Sequence, residues 1–243
     1  MEIITSLTNN KIKNLSKLNQ KKYRDEENIF LVEGYHLVEE AYKSNNLIEI
    51  LKTEDFDCDI KIKTTIVTYD IIKKLSHTEN PQKIIGVVNK IKEQPIGNKV
   101  LIVDELQDPG NLGTIIRSSV AFGIDTVILS ENTVDLYNDK VIRSSEGMLF
   151  KINIIKKNTS EIIKELKQNN YQIFGTRVTN GQNIKDISIP PKYAFIVGNE
   201  GNGVRKEVLD LCDKYIYIPI SKECESLNVA IATSIILYEL GVK

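Results

Sequence analysis

Residues 99–118 read KVLIVDELQDPGNLGTIIRS. Val100 to Asp104 is a short apolar run that ends on a carboxylate, Asp108-Pro109-Gly110 favours a tight turn, and a helical run then continues to about Phe122. A strand that is apolar throughout is one buried on both faces, and a strand feeding a helix through a short turn is the unit from which parallel sheets are built. The same alternation recurs downstream. Thr126 to Leu129, Ile152 to Ile155, Tyr171 to Gly175, Tyr193 to Val197 and Tyr215 to Ile218 are apolar runs separated mostly by helix-like segments. The expectation is an α/β fold with a mostly parallel sheet covered by helices on both faces, ligands gathering at the carboxyl ends of its strands.

Upstream, a smaller α/β unit is expected. Thr8 or Asn9 caps a helix predicted from Lys11 to about Arg24, with Ile12, Leu15 and Leu18 as a narrow apolar stripe and basic residues elsewhere. Strands are expected at Ile29 to Val32, Ile48 to Leu51, Ile66 to Thr68 and Ile84 to Val88, with helices from Tyr35 through Tyr42 and from Tyr69 to Leu75. His36 reads as a packing residue of the first of these helices. Pro95 and Gly97 mark a linker, which divides the chain into domains at 1–94 and 99–243 with 95–98 between them.

Composition narrows the chemistry. Of 243 residues, 41% are hydrophobic and 27% charged, a globular balance that argues against disorder. No run approaches the ~20 apolar residues of a membrane span, and Met1-Glu2 does not open a secretory signal, so a cytoplasmic protein without membrane contact is expected. Cys58, Cys212 and Cys224 form no CxxC pair and His36 and His77 are the only histidines, so no metal site is expected and a histidine-dependent nucleophile has little to draw on. The cysteines read as reduced and structural. The net charge is −1, yet residues 1–24 carry Lys11, Lys13, Lys17, Lys21, Lys22 and Arg24 against Glu2 alone. Such a face suits phosphate, or is simply solvated.

Three strand-end segments carry polar groups in ligand-binding positions. In the first, Asn111 is expected to cap a helix whose free amides can meet an anion, and Arg117 follows as a permanent cation suited to phosphate; a capped helix with a surface arginine is the plainer alternative. The second, VGNEGNG at 197–203, holds Gly198, Gly201 and Gly203, which let backbone approach a ligand; it reads equally as a flexible turn. In the third, Ser226 and Asn228 open an apolar helix with Leu227, Ile231, Ile235 and Tyr238 on one packing face, and either polar residue alone is explained as a cap. No Walker lysine follows the glycines and no G-x-G-x-x-G opens a βαβ unit, which leaves nucleotide hydrolysis and dinucleotide binding poorly supported.

Taken together, DPGNLGTIIRS at 108–118, IVGNEGNGV at 196–204 and IPISKECESLNVAIA at 218–232 resemble the three motifs of the SpoU/TrmH branch of the SPOUT methyltransferases, and KVIRSSEGMLF at 140–150 is similar to the segment between the first two. Residues 2–90, with FLVEGYHLVEEA and TENPQKIIGVV, are similar to the substrate-binding domain attached to this branch. The resemblance implies a deep trefoil knot in the C-terminal sheet and transfer of a methyl group from S-adenosylmethionine to a ribose 2'-hydroxyl of RNA, ribosomal RNA before transfer RNA. It places Gly198, Ile218, Leu227 and Thr176 at the cofactor, and Asn111, Arg117, Glu200, Ser226 and Asn228 in an active site built across a homodimer. A noncatalytic RNA-binding ribosome-assembly factor on the same scaffold is the competing expectation.

Overall fold

The computed structural model describes residues 2–178 and 180–241, which form two compact units, Met1–Lys92 with Asp135–Phe150, and Glu93–Val134 with Lys151–Lys243. The first is built from β1 (Glu2–Ile4), α1 (Asn10–Lys17), α2 (Lys21–Glu27), β2 (Ile29–Glu33), α3 (Tyr35–Lys43), β3 (Leu47–Lys52), β4 (Thr64–Val67), α4 (Tyr69–Leu75) and β5 (Ile84–Asn89). Its five strands are ordered β1-β4-β3-β5-β2, with β5 antiparallel to both neighbours and the other pairs parallel. Ile12, Leu15 and Leu18 are buried as the stripe predicts, against Ile71, Ile72 and Leu75 of α4.

The expected single basic helix is two. α1 stops at Lys17 because Arg24 turns inward: its Nη1 donates to the carbonyl of Leu18 at 2.6 Å, and its Nη2 pairs with Asp135 at 2.6 Å. An arginine that satisfies a carbonyl at a helix end ends the helix and removes itself from the exposed basic face. Three lysines are also neutralised. Lys11 bonds to Glu2 and Glu49, Lys21 to Asp25, and Lys22 lies near Glu26. Lys13 and Lys17 remain as exposed cations without a carboxylate partner among the described residues.

The second unit runs β6 (Lys99–Val103), α5 (Pro109–Ala121) and β7 (Thr126–Leu129); the chain then passes into the first unit as residues 135–150, carrying α6 (Asp139–Ser144), and returns. There follow β8 (Asn153–Lys156), α7 (Thr159–Gln168), β9 (Gln172–Thr176), β10 (Gln182–Asn183), β11 (Tyr193–Val197), α8 (Lys206–Leu209), β12 (Lys214–Tyr217) and α9 (Val229–Gly241). The seven strands, ordered β10-β12-β9-β11-β6-β7-β8, are parallel at every pairing. All five residues of β11 are buried, and Val100, Ile102, Ile173 and Ile196 pack with Ile162, Ile163 and Leu166 of α7 in one core. Among the described residues no helix is long and apolar enough to cross a membrane.

This division differs from the one read from sequence. Residues 135–150 join the first unit because Phe30 packs against the tilted ring of Tyr137 and stacks with Phe150, with ring centroids 4.7 and 6.3 Å away. Residues 94–98 are tied to the second, where Gln94 exchanges hydrogen bonds of 2.8 Å with the side chain of Asn153 and Gly97 donates to Thr126 Oγ1 at 3.1 Å. His36 is not in a core: its ring is exposed, with Nε2 3.2 Å from the carbonyl oxygen of Glu146. The packing face expected for α9 is also displaced. Ile231 and Tyr238 are 55% and 54% exposed, while Ala230, Thr233, Ile236, Leu237 and Leu240 are buried. An all-round apolar helix gives no moment by which to choose its inner face, so residue spacing alone picks the wrong one.

Candidate active site

β6 and β11 are neighbours, but the chain leaves β6 toward β7 on one side and leaves β11 toward β12 on the other. Where parallel strands part in this way their carboxyl ends open a crevice. Residues 104–111 and 198–205 emerge into it.

The second of these segments is closed on itself. Asn199 and Gly203 exchange backbone hydrogen bonds of 3.0 Å in both directions, with Gly203 at φ +67°. A Cβ on Gly198 would sit 2.0 Å from the carbonyl carbon of Gly203, so no other residue fits. Asn199 Oδ1 accepts from Gly201 N at 2.8 Å while its Nδ2 donates to the carbonyl of Glu105 at 3.0 Å, which ties the loop to the end of β6. Arg205 completes the tie, its Nε and Nη2 reaching the two carboxylate oxygens of fully buried Asp104 at 3.0 and 2.7 Å. Thr159 Oγ1 donates to the same carboxylate at 3.0 Å. A forked, charge-assisted pair of this kind fixes orientation as well as distance.

Glu200 is thereby aimed at the start of α5. Asp108, not Asn111, caps that helix, its side chain accepting from Asn111 N at 2.8 Å because α5 already begins at Pro109; Glu200 Oε1 accepts from Asp108 N at 2.8 Å and from Asn111 Nδ2 at 3.2 Å. Burial pushes the Glu200 carboxyl up, but the amides of Asp108, Asn111 and Gln107 outweigh it and hold the group below the usual carboxylate range. Glu200 is therefore ionised at neutral pH with its lone pairs engaged, an anchor for the loop rather than a proton acceptor. From Asn111 the chain of bonds continues: its Oδ1 accepts from Asn228 Nδ2 at 3.1 Å, and Asn228 Oδ1 accepts from Ala230 N at 2.9 Å, capping α9. Asn228 thus caps α9, as its sequence context allowed, and joins the relay to Asn111.

Beside this relay lies a cleft of about 480 Å³ lined by Thr176, Gly198, Glu200, Ile218, Ser226 and Leu227 among others. The four residues expected at a cofactor all face it. Thr176 spends its hydroxyl on the carbonyl of Ile196, 2.8 Å away, so it shapes the wall and leaves the polar contacts to backbone. Ser226 stands exposed at the rim. Arg117 is placed differently: exposed on α5, it is not among the residues that line this cleft and has no ion-pair partner among the described residues. Asp104, Arg205 and Arg177, the last also lining the cleft, were not expected. Asp104 and Arg205 are 101 residues apart, and no local pattern links them.

Cys212, beneath β9, is pushed up to about 12 by burial and is not a nucleophile at neutral pH, whereas Cys224 is exposed rather than structural.

Residues 98–238 match the model of the SpoU rRNA Methylase family, and residues 9–86 match the MRM3-like substrate binding domain. The 23S rRNA (guanosine(2553)-2'-O)-methyltransferase RlmP of Bacillus subtilis is 39% identical over 99% of this chain and 99% of its own. Among solved structures, an RNA 2'-O ribose methyltransferase superposes with a TM-score of 0.84 at 29% identity, covering 98% of this chain and 97% of that one. An AdoMet-bound rRNA methyltransferase from Sinorhizobium meliloti gives 0.87 at 28% identity, covering 98% and 96%. With its three motifs gathered at the carboxyl ends of the strands of one parallel sheet and a family model spanning more than half its length, the chain belongs to the SpoU rRNA methylase family.

Proposed function

We propose that this protein is an S-adenosylmethionine-dependent RNA 2'-O-ribose methyltransferase acting in the cytoplasm on ribosomal RNA. The observation that carries the reading is the meeting of three strand-end segments: Glu200, Asn111 and Asn228 linked by hydrogen bonds at the edge of a cleft walled by Gly198, Ile218 and Leu227. The cleft suits the cofactor. Its apolar walls match an adenine ring, and at Gly198 the loop folds so tightly on Gly203 that no side chain fits, which keeps backbone rather than a side chain at this part of the wall. S-Adenosylmethionine, when held there, supplies a methyl group activated by a sulfonium.

What remains for the protein is to orient a ribose hydroxyl in line with that methyl, so that the new C–O bond forms as the C–S bond breaks, with the hydroxyl proton passing to solvent water. Glu200 is engaged in positioning. A guanidinium is a forked donor without an acceptor atom to spare, so the first role of Arg117 is to hold the phosphate beside the reacting ribose. Because Arg117 stands outside the cleft of its own chain, it serves the cleft of a second copy. The exposed Ile231 and Tyr238 of α9, with Tyr238 edge-on to Phe122 at 5.8 Å, give that copy an apolar face to cover. Ser226, at the rim, contributes a hydroxyl to the RNA side of the site. Transfer RNA is the second substrate to test, since other family relatives are described as tRNA/rRNA methyltransferases, among them a Synechocystis protein 29% identical over 97% of this chain.

The test is to map 2'-O-methyl groups in total RNA with and without the gene, and to repeat the transfer with purified protein and labelled cofactor. One ribosomal RNA site lost in the deletion and restored in vitro is expected. Unchanged methylation, with RNA bound but no methyl transferred, would instead establish a noncatalytic assembly factor.

A further inference from the structure

Among the described residues, the cleft contains one cation, Arg177, that no carboxylate neutralises. Arg177 follows β9; its backbone N–H donates to the carbonyl of Ile216 at 2.9 Å, which fixes where the side chain starts. The guanidinium then lies over the ring of Tyr215, with Cζ 3.8 Å from the centroid, and its Nε is buried without a hydrogen-bond partner. Other arginines are treated differently: Arg24 pairs with Asp135, Arg143 with Asp139 and Arg205 with Asp104. With Nε enclosed by protein, it is the Nη groups of this cleft-lining arginine that are left to meet an anion. Stacking on Tyr215 holds the guanidinium plane, and so the direction of those donors, in place.

We infer that Arg177 receives the α-carboxylate of S-adenosylmethionine, a reading that rests on the proposed function. Of the described residues lining the cleft only Arg177 and Glu200 carry charge, and Glu200 is already engaged by the start of α5. The amino-acid tail of the cofactor carries a single anionic group, which matches the single cation. Arg177 is thus a specificity residue for the donor's tail, separate from the backbone groups that hold its nucleoside. A phosphodiester of the RNA would offer the same anionic chemistry, and the experiment separates the two.

Titration calorimetry on the full chain would compare S-adenosylmethionine with decarboxylated S-adenosylmethionine, which lacks only the carboxylate. Native protein is expected to bind the decarboxylated compound about tenfold to a hundredfold more weakly, the range lost with a charge-assisted hydrogen bond. Arg177→Gln should bind the two alike, at the weaker affinity, and Arg177→Lys should recover part of the preference, as a point charge without the fork. Equal affinity of native protein for both compounds overturns the assignment without involving any variant and leaves the methyltransferase reading standing. Equal losses for both compounds in Arg177→Gln would make the residue a mere support for Tyr215. Intact cofactor binding with weakened binding of an RNA oligonucleotide would assign Arg177 to phosphate instead, and no binding of either compound would sink this inference together with the reading beneath it.

Discussion

The base of the 198–205 loop and the outer face of α5 treat an arginine in opposite ways. Arg205 is gripped by Asp104 and has Glu105 and Glu207 within 3.3 and 3.4 Å; Arg117 has no carboxylate partner among the described residues. Both lie close in sequence to a site motif, so proximity to a motif does not separate them. Local charge balance does. A cation that holds the scaffold is neutralised by it, whereas one kept for a polyanion must stay unpaired and hydrated until the polyanion arrives.

If that contrast is right, the largest effect on folding comes from the gripped residue. Arg205→Met leaves the carboxylate of Asp104 buried without its cation and should lower stability by about 3 kcal/mol, read from urea denaturation. A variant as stable as the native protein would show that the clamp is not what ties the loop to β6. Arg117→Ala should do the reverse, lowering kcat/KM for RNA on the order of a hundredfold while stability moves by less than about 0.5 kcal/mol. Comparing pH-rate profiles of native protein and Arg117→Lys sharpens the point, since identical profiles with weaker RNA binding would restrict Arg117 to phosphate.

A smaller effect is expected at Glu200, where solvent screens the interaction and Glu200→Gln should cost under about 1 kcal/mol at neutral pH. The sign follows from its lowered proton affinity. Stability contributed by such a carboxylate is present above its ordinary value of 4.5 and is lost as pH falls through the lower value of the folded state. Thermal melts of native and Glu200→Gln should therefore differ at neutrality and converge in acid; a gap that widens in acid would contradict the hydrogen-bonded anchor. The smallest change is expected from Lys13→Ala with Lys17→Ala, which should flatten the salt dependence of RNA binding by a slope of about 1 to 2. Lys21, paired with Asp25, should contribute less than either, and an unaltered slope in the double variant would return α1 to a solvated face.

Strands were the part most legible in the sequence. Tyr193–Val197 and Thr126–Leu129 fall where their apolar runs place them, because a strand covered on both faces has to be apolar without interruption. β1 and β10 were not read: three residues at the edge of the first sheet and two at the edge of the second carry too little pattern to stand out. At the candidate site, glycine spacing pointed to the 198–203 loop because Gly198 is a steric requirement written in one residue type. The relay from Glu200 through Asn111 to Asn228 was present as residues but not as bonds, since its members are 89 and 117 positions apart. The inner face of α9 and the turn of Arg24 toward Asp135 were hidden for the same reason, each being decided by a partner distant in the chain.

The excursion of residues 135–150 bears on how the polypeptide is made. A nascent chain that has delivered its first 92 residues still lacks Tyr137 and Phe150, the rings that cover Phe30, and Asp135, the counter-ion of Arg24. Its first unit therefore cannot finish folding on the ribosome until β6, α5 and β7 have also emerged, and a fragment cut at Lys92 would expose an aromatic surface and a buried cation with nothing to meet either.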